Sequence, residues 1–363
     1  MKRTLIIVVI LASFTFGCNR NKRTYTQIVE LDTLITGEFK MDDSIFGETI
    51  ELEGTAISSS AIFNPKFTHL IANDSILVLR LDGYVGNTHA FYIFRLPDFT
   101  PIGRVGSFGR GPFEFNSPHS VKTIDPSAIL YVYELMTGKM YKLNNKYSLE
   151  EIPSPFTPRM RGAMDDNGII NIAENEYLYV NTTSTETHIT RTEYDKTNDQ
   201  YIKTNLLDLR FKPEISVYVA FSGNFSVNPS KNRMAYAYTY YRRVLFSDIN
   251  GENTRVLTFP GSEYDEGTAK IADGMYLNNM YYYNAIAGDK YLYLMYNGRD
   301  LQNVQGGIIH NMYLEQWDWN GNPLRRYKLD QYGYVTIDEK KGKIYLVSGV
   351  SEIPFFVYDL PEL

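Results

Sequence analysis

Short alternating or apolar runs recur along the chain, and a polar turn precedes each one. Ile76-Leu77-Val78-Leu79 follows Asn73-Asp74-Ser75, and Leu130-Tyr131-Val132-Tyr133 follows Asp125-Pro126-Ser127. Tyr177 to Val180, Ala235 to Tyr238, Leu292 to Leu294 and Ile344 to Val347 repeat the pattern. With Val78, Tyr131, Tyr179, Tyr236, Tyr293 and Tyr345 taken as equivalent, the units lie 48 to 57 residues apart. Each unit carries a further run after the first, such as Ala90 to Phe94, Lys139 to Leu143, Arg243 to Phe246 or Tyr313 to Trp317. Asn250-Gly251 and Asn320-Gly321 then supply tight-hairpin turns. About four strands every 50 residues predict the blades of a propeller rather than a helical fold. The fold class is therefore all-β, a six-bladed β-propeller over residues 46–363. The last unit runs out of chain after three strands. The alternating segment Thr49-Ile50-Glu51-Leu52-Glu53 is predicted to supply its fourth and close the ring, removing open sheet edges.

The stretch Gly103-Arg104-Val105-Gly106-Ser107-Phe108-Gly109-Arg110-Gly111-Pro112-Phe113-Glu114-Phe115 is followed by Ser117 to Val121, Ile124 to Pro126 and Leu130 to Val132. That order resembles the NHL-type propeller repeat and, more closely, the TolB-like six-bladed propeller lipoproteins of Bacteroidetes. The resemblance implies fold and location more than activity. Phe113 departs from it, because the family often has glycine there; a positive φ at that position would strain a phenylalanine. Phe108 and Phe115 are expected to fill the wedge between two blades. The same glycines do not make a phosphate cradle, since Pro112 and Pro118 follow and no helix begins.

The amino-terminal end reads as a targeting signal. Lys2 and Arg3 precede the apolar run Leu5 to Leu11, and Gly17-Cys18 follows. The apolar part spans about 12 residues, short of the ~20 a membrane-crossing helix needs. Cys18 is the only cysteine, so no internal disulfide can form. Its position resembles a bacterial lipobox, which implies acylation of Cys18 and a lipid anchor in the membrane. Residues 1–17 are the expected signal peptide and 18–45 the lipidated tether. Asn19 to Arg23 is a basic patch, read as a solvated tether. Surface-exported lipoproteins of Bacteroidetes tend to be acidic there. By that resemblance the protein is expected to stay in the envelope facing the periplasm, at the outer membrane in preference to the inner.

Composition changes the picture in two ways. Thirty tyrosines and twenty phenylalanines suit β-structure. Loss of Lys2 and Arg3 with the signal would take the formal charge from −6 to −8, which argues against nucleic acid as a partner.

Candidate chemistry is sparse. No nucleophile elbow is present, and Ser120 beside His119 is only a sequence neighbour. Adjacent carboxylates, Asp42-Asp43 and Asp165-Asp166, point to opposite faces of a strand. They read as turns or solvated edges. His69 and His119 fall in predicted innermost strands, with Asp165 in the matching part of the third unit. They are polar channel residues or, with a further ligand, a zinc or calcium site. Tyr281 and Tyr282 head the inner strand of the fifth unit and offer stacking surfaces. The expectation is therefore a non-enzymatic binding or scaffold module for a protein, peptide or glycan, using His69, His119, Asp165, Tyr281 and Tyr282 on an axial face. No catalytic residue and no cofactor are assigned, and the metal content is left open. The alternative is a metal-dependent lactonase, lyase or glycan-processing enzyme at the axial channel, by analogy of fold.

Overall fold

A computed structural model describes residues 34–65, 69–73, 75–83, 86–158, 168–183, 185–214, 218–263, 279–300 and 312–362. The segment read as a signal, Cys18, Asp165 and His310 lie outside them. Among the described residues no helix is long and apolar enough to cross a membrane.

Six antiparallel sheets succeed one another along the chain as the blades of a propeller. From the axis outward, blade 1 is His69–Asn73, Ile76–Arg80, His89–Arg95 and Thr100–Ser107. Blade 2 is Pro118–Val121, Ala128–Glu134, Lys139–Asn144 and Leu149–Ile152. Blade 3 is Ile169–Ala173, Glu176–Thr182, Thr187–Asp195 and Gln200–Asp208. Blade 4 is Gly223–Asn228, Arg233–Tyr238, Arg243–Ser247 and Arg255–Thr258. Blade 5 is Asn279–Ala287, Tyr291–Asp300, Met312–Asp318 and Pro323–Leu329. Blade 6 is Tyr334–Asp338, Lys343–Val347 and Phe355–Asp359, completed by Thr55–Ile57.

The second strand of each blade reads as an apolar run because it is covered on both faces, one by each neighbouring blade. The core is accordingly divided into six wedges. One holds Val78, Phe91 and Phe115 against Leu130 and Val132, between blades 1 and 2. Another joins Tyr345 and Phe355 of blade 6 to Leu77, Leu79 and Phe94 of blade 1, and so closes the ring. The equivalence read from the repeats slips by one residue in two blades. Val78, Tyr131, Tyr293 and Tyr345 face the following blade, whereas Tyr179 and Tyr236 face the preceding one. A slip of one position reverses every side chain on a strand, yet an apolar run buried on both faces conceals the slip.

Ring closure by an amino-terminal strand holds, but the expected strand is not the one that closes. Ile50–Leu52 lies parallel to Tyr327–Leu329 as a fifth strand of blade 5. Thr55–Ile57 pairs antiparallel with Phe355–Val357. Three exposed or half-exposed residues carry no alternation to read, whereas Ile50–Leu52 displays it. The pivot between the two is Gly54, where any Cβ would meet the Tyr358 ring at 2.6 Å. Upstream, Gly37–Lys40 lies parallel to Arg255–Thr258 as a fifth strand of blade 4. Within the stretch read as a tether, residues 34–45 thus belong to a strap that grips blades 4, 5 and 6 in turn.

A short 3-10 turn, Asp43–Phe46, wedges the strap between blades 4 and 5. Asp42 caps it, accepting the Ser44 N–H at 2.8 Å. Phe46 is buried edge-on to Trp317, with ring centroids 5.3 Å apart. Asp43 accepts hydrogen bonds from Arg242 and Arg326, so this member of the acidic pair is an anchor rather than a solvated edge. Glu315, fully buried, completes the group. It accepts from Arg326 at 2.7 Å and lies 3.6 Å from Arg242. Arg242 is itself sandwiched between Phe259 and Tyr296. Hydrogen bonding from Arg242 holds the Asp43 carboxyl at about 2. Burial pushes Glu315 upward, against the pull of Arg326 and Arg242.

Candidate binding face at the loop-rich end

An antiparallel meander places its first and third connections at one end of the blade and its second at the other, together with the link to the next blade. In this ring the first kind are tight turns. Asp248 and Asp318 each cradle one, accepting the Glu252 N–H at 2.9 Å and the Asn322 N–H at 2.8 Å. Gly251 and Gly321 adopt positive φ there, as the Asn250-Gly251 and Asn320-Gly321 signals require. The link 108–117 and the described parts of the other interblade links, 153–158, 209–214, 218–222 and 259–263, belong to the opposite end. Long loops on a rigid scaffold are where binding residues concentrate.

On the side of blades 1 and 2, the inner strands start with polar groups already in contact. His69 Nδ1 lies 2.6 Å from Ser120 Oγ. Arg80 donates to the Pro118 carbonyl at 3.0 Å. His119 is buried, with its Nε2 3.5 Å from Ser117 Oγ and its ring against Tyr133. Glu134 braces the entry to blade 2, accepting the N–H groups of Asn116 and Ser117 at 3.1 Å, and burial raises its pKa. The two histidines therefore take separate partners. Among the described residues no three His, Cys, Asp or Glu side chains are grouped so as to hold a metal ion.

On the side of blades 5 and 6 the inner strands are aromatic. Tyr282 is fully buried between blades 4 and 5, and its hydroxyl donates to Glu315 at 3.2 Å. Tyr281 is half-buried on the same wedge, its hydroxyl resting over Gly261. Tyr283 turns toward blade 6, where Tyr332 and Tyr334 lie close enough to act on it electrostatically. Its hydroxyl is buried and has no hydrogen-bond partner among the described residues. Burial pushes Tyr283 well above the ordinary tyrosine range and Tyr332 up to about 12, so both hydroxyls are neutral at neutral pH.

Alternation alone could not sort these tyrosines. The strand Asn279–Ala287 is irregular between Met280 and Tyr282 and again between Tyr282 and Asn284. Such bulges reset which face a side chain takes. The sequence reading also passed over Lys122, at the end of the blade 2 inner strand. Burial alone pushes its amine down to about 8, and no described group pairs with it. Its signal was a lone lysine closing the short run from Pro118 to Val121.

The glycine-rich link between blades 1 and 2 has the predicted structural role. Phe115 is buried in the wedge and Phe108 packs on it. Gly106 has φ +70, and a Cβ there would collide with the Phe115 ring. Glu114 folds back to accept the Gly111 N–H at 2.7 Å. Phe113 does adopt a positive φ, +59, and its side chain is 45% exposed.

A family model described as TolB-like 6-blade propeller-like matches residues 46–340. Among solved structures, a member of the DUF4221 family from Bacteroides vulgatus is 11% identical with a TM-score of 0.56, covering 86% of this chain and 98% of that one. A candidate exported protein from Bacteroides fragilis is 12% identical with a TM-score of 0.51, covering 88% and 98%. At these identities the likeness concerns architecture alone. No curated protein matches the sequence.

Proposed function

From its membership of the TolB-like six-bladed propeller family, to which this chain belongs, we propose that the protein is a lipid-anchored envelope module that binds a ligand at its loop-rich end without chemical turnover. The observation that carries this reading is the grouping of Tyr283 with Tyr332 and Tyr334 where the inner strands of blades 5 and 6 begin. Aromatic rings gathered there suit an occupant with a flat or ring-shaped body, such as a glycan or peptide. The signal-like start, the acylation expected at Cys18, and the description of the Bacteroides fragilis neighbour as a candidate exported protein support a periplasm-facing location. Titration of intrinsic fluorescence with soluble oligosaccharides and peptides tests the binding. Tyr283→Phe and Tyr334→Ala should each weaken the ligand that is found. Affinity indifferent to both changes, or turnover of a substrate, would sink the reading. Incorporation of labelled palmitate, lost in Cys18→Ser, tests the anchor separately.

The alternative, a metal-dependent lactonase, lyase or glycan-processing enzyme, has less to rest on. His69 is engaged with Ser120 and His119 with Ser117, and Asp165 lies outside the described residues.

A further inference from the structure

Blades 1 and 5 are built on the same outer hairpin. In blade 5 the third and fourth strands pair Leu314 with Tyr327, Glu315 with Arg326 and Gln316 with Arg325, and then a bulge sets Trp317 opposite Pro323. In blade 1 they pair Phe91 with Val105, Tyr92 with Arg104 and Ile93 with Gly103, and then a bulge sets Phe94 opposite Pro101. Arg104 thus stands where Arg326 stands, and Val105 where Tyr327 stands. The faces agree too, since Tyr327 and Val105 both pack toward the following blade.

The two hairpins differ in what covers them. Blade 5 is covered by the strap, which puts Asp43 on Arg326 and a parallel strand on Tyr327–Leu329. In blade 1 the Arg104 side chain is exposed beside the Tyr92 ring, 6.0 Å from its centroid. Among the described residues it has no carboxylate partner, and no strand pairs with the outer side of Gly103–Gly106. Hollows flank this edge on both faces. One, of about 390 Å³, is walled by Arg104, Val105, Phe113 and Leu149. The other, of about 400 Å³, is walled by Ile62, Phe94, Ile102 and Arg104. Successive side chains of an extended segment point to opposite faces, so a segment laid on this edge would fill the two hollows alternately.

We propose that the outer edge of blade 1 is a strand-addition site for an extended, acidic segment of a partner protein. The segment pairs its backbone over Gly103–Gly106, sets an Asp or Glu upstream of the paired residues on Arg104, and places apolar side chains in the hollows. Pairing ends at Ser107, whose carbonyl already accepts the Phe115 N–H at 2.9 Å. A second copy of this chain is a poorer occupant, because its own strap is held in place by buried Phe46.

The probe is a fluorescent peptide with the sequence of residues 42–53, which carries the acid and the strand that cover blade 5. Fluorescence anisotropy with the whole mature protein should show saturable, micromolar binding. Arg104→Glu, an exposed change, should weaken it at least about tenfold, while Lys203→Glu on the outer strand of blade 3 should leave it unchanged. Hydrogen exchange should slow at Gly103–Gly106. The proposal is overturned by absence of saturable binding, by equal binding to Arg104→Glu, or by protection appearing at another blade. Loss of protection at Tyr327–Leu329 would show exchange with the strap and would also overturn it.

Discussion

The outer rims of blades 4 and 5 and those of blades 1, 2 and 3 are treated differently. Blades 4 and 5 each carry a fifth, parallel strand from the strap. The other three end in bare four-stranded sheets. Residue chemistry tracks the difference. Arg255–Thr258 is buried at three of four positions, whereas Gln200–Asp208 in blade 3 has no buried position. A bare edge survives where it is polar and bulged, as blade 3 is between Ile189 and Thr190. An apolar edge needs a cover, and here the chain supplies one from its own amino-terminal side. The strap is thus an integral part of the core of one half of the ring, and disturbing it should destabilise that half selectively.

The largest effect is expected at Glu315, the fully buried acid between Arg242 and Arg326. Glu315→Ala leaves two buried or nearly buried guanidiniums with only the half-exposed Asp43 between them. Removing one partner of a buried pair costs roughly 3–5 kcal/mol. Urea unfolding should show this as a shifted midpoint with an unchanged slope. A change under about 1 kcal/mol would mean that water already solvates the arginines.

Phe46→Ala comes next, at about 3 kcal/mol for a buried phenylalanine removed from a packed wedge. Its readout distinguishes the halves. Amide exchange should quicken at Arg255–Thr258 and Tyr327–Leu329 and stay unchanged at Gln200–Asp208. Uniform acceleration would mean that the ring opens as one unit and the strap has no local role.

The repeat made the ring legible because six runs buried on both faces need no alternation to be recognised. The strap was not legible. Gly37–Lys40 is exposed or half-exposed, and its pairing partner lies some 218 residues away. Asp43 looked like half of a solvent-facing pair, because nothing local announces Arg242 or Arg326. The axial residues were legible by position and not by orientation. His69 and His119 do begin inner strands, yet Ser120, not His119, meets His69. A bulge then put Tyr281 and Tyr282 on the same wedge, with Tyr283 facing blade 6.

Asp43 gives the comparison a pH signature. Its carboxyl titrates at about 2 in the folded protein against an ordinary 3.8, chiefly because Arg242 donates to it. A depressed folded value means the stabilisation is complete above about pH 4 and is lost as pH falls toward 2. Asp43→Asn should therefore be weaker than the parent at neutral pH by about 1 kcal/mol, a small figure for a side chain half exposed to solvent. The difference should shrink between about pH 4 and 2 and vanish below about pH 2. A constant offset across the acid range would show that the contact acts through shape and not through charge.

The smallest effect belongs to the bare half, at Phe113. Its positive φ costs a side-chain-bearing residue about 1 kcal/mol, and glycine removes that strain. Against this, glycine frees the unfolded chain by roughly 0.5–1 kcal/mol. The tilted contact with Tyr141, at 5.7 Å between centroids, is also lost, at about 0.5 kcal/mol for so exposed a ring. The terms nearly cancel, so Phe113→Gly should change stability by less than about 1 kcal/mol in chemical denaturation. With no net gain in stability from this side chain, its exposed ring is free to serve the surface. Here the ring walls one hollow beside Arg104. The same variant should therefore bind the 42–53 peptide several-fold more weakly, while a loss above about 2 kcal/mol would make Phe113 a packing residue and remove it from the groove argument.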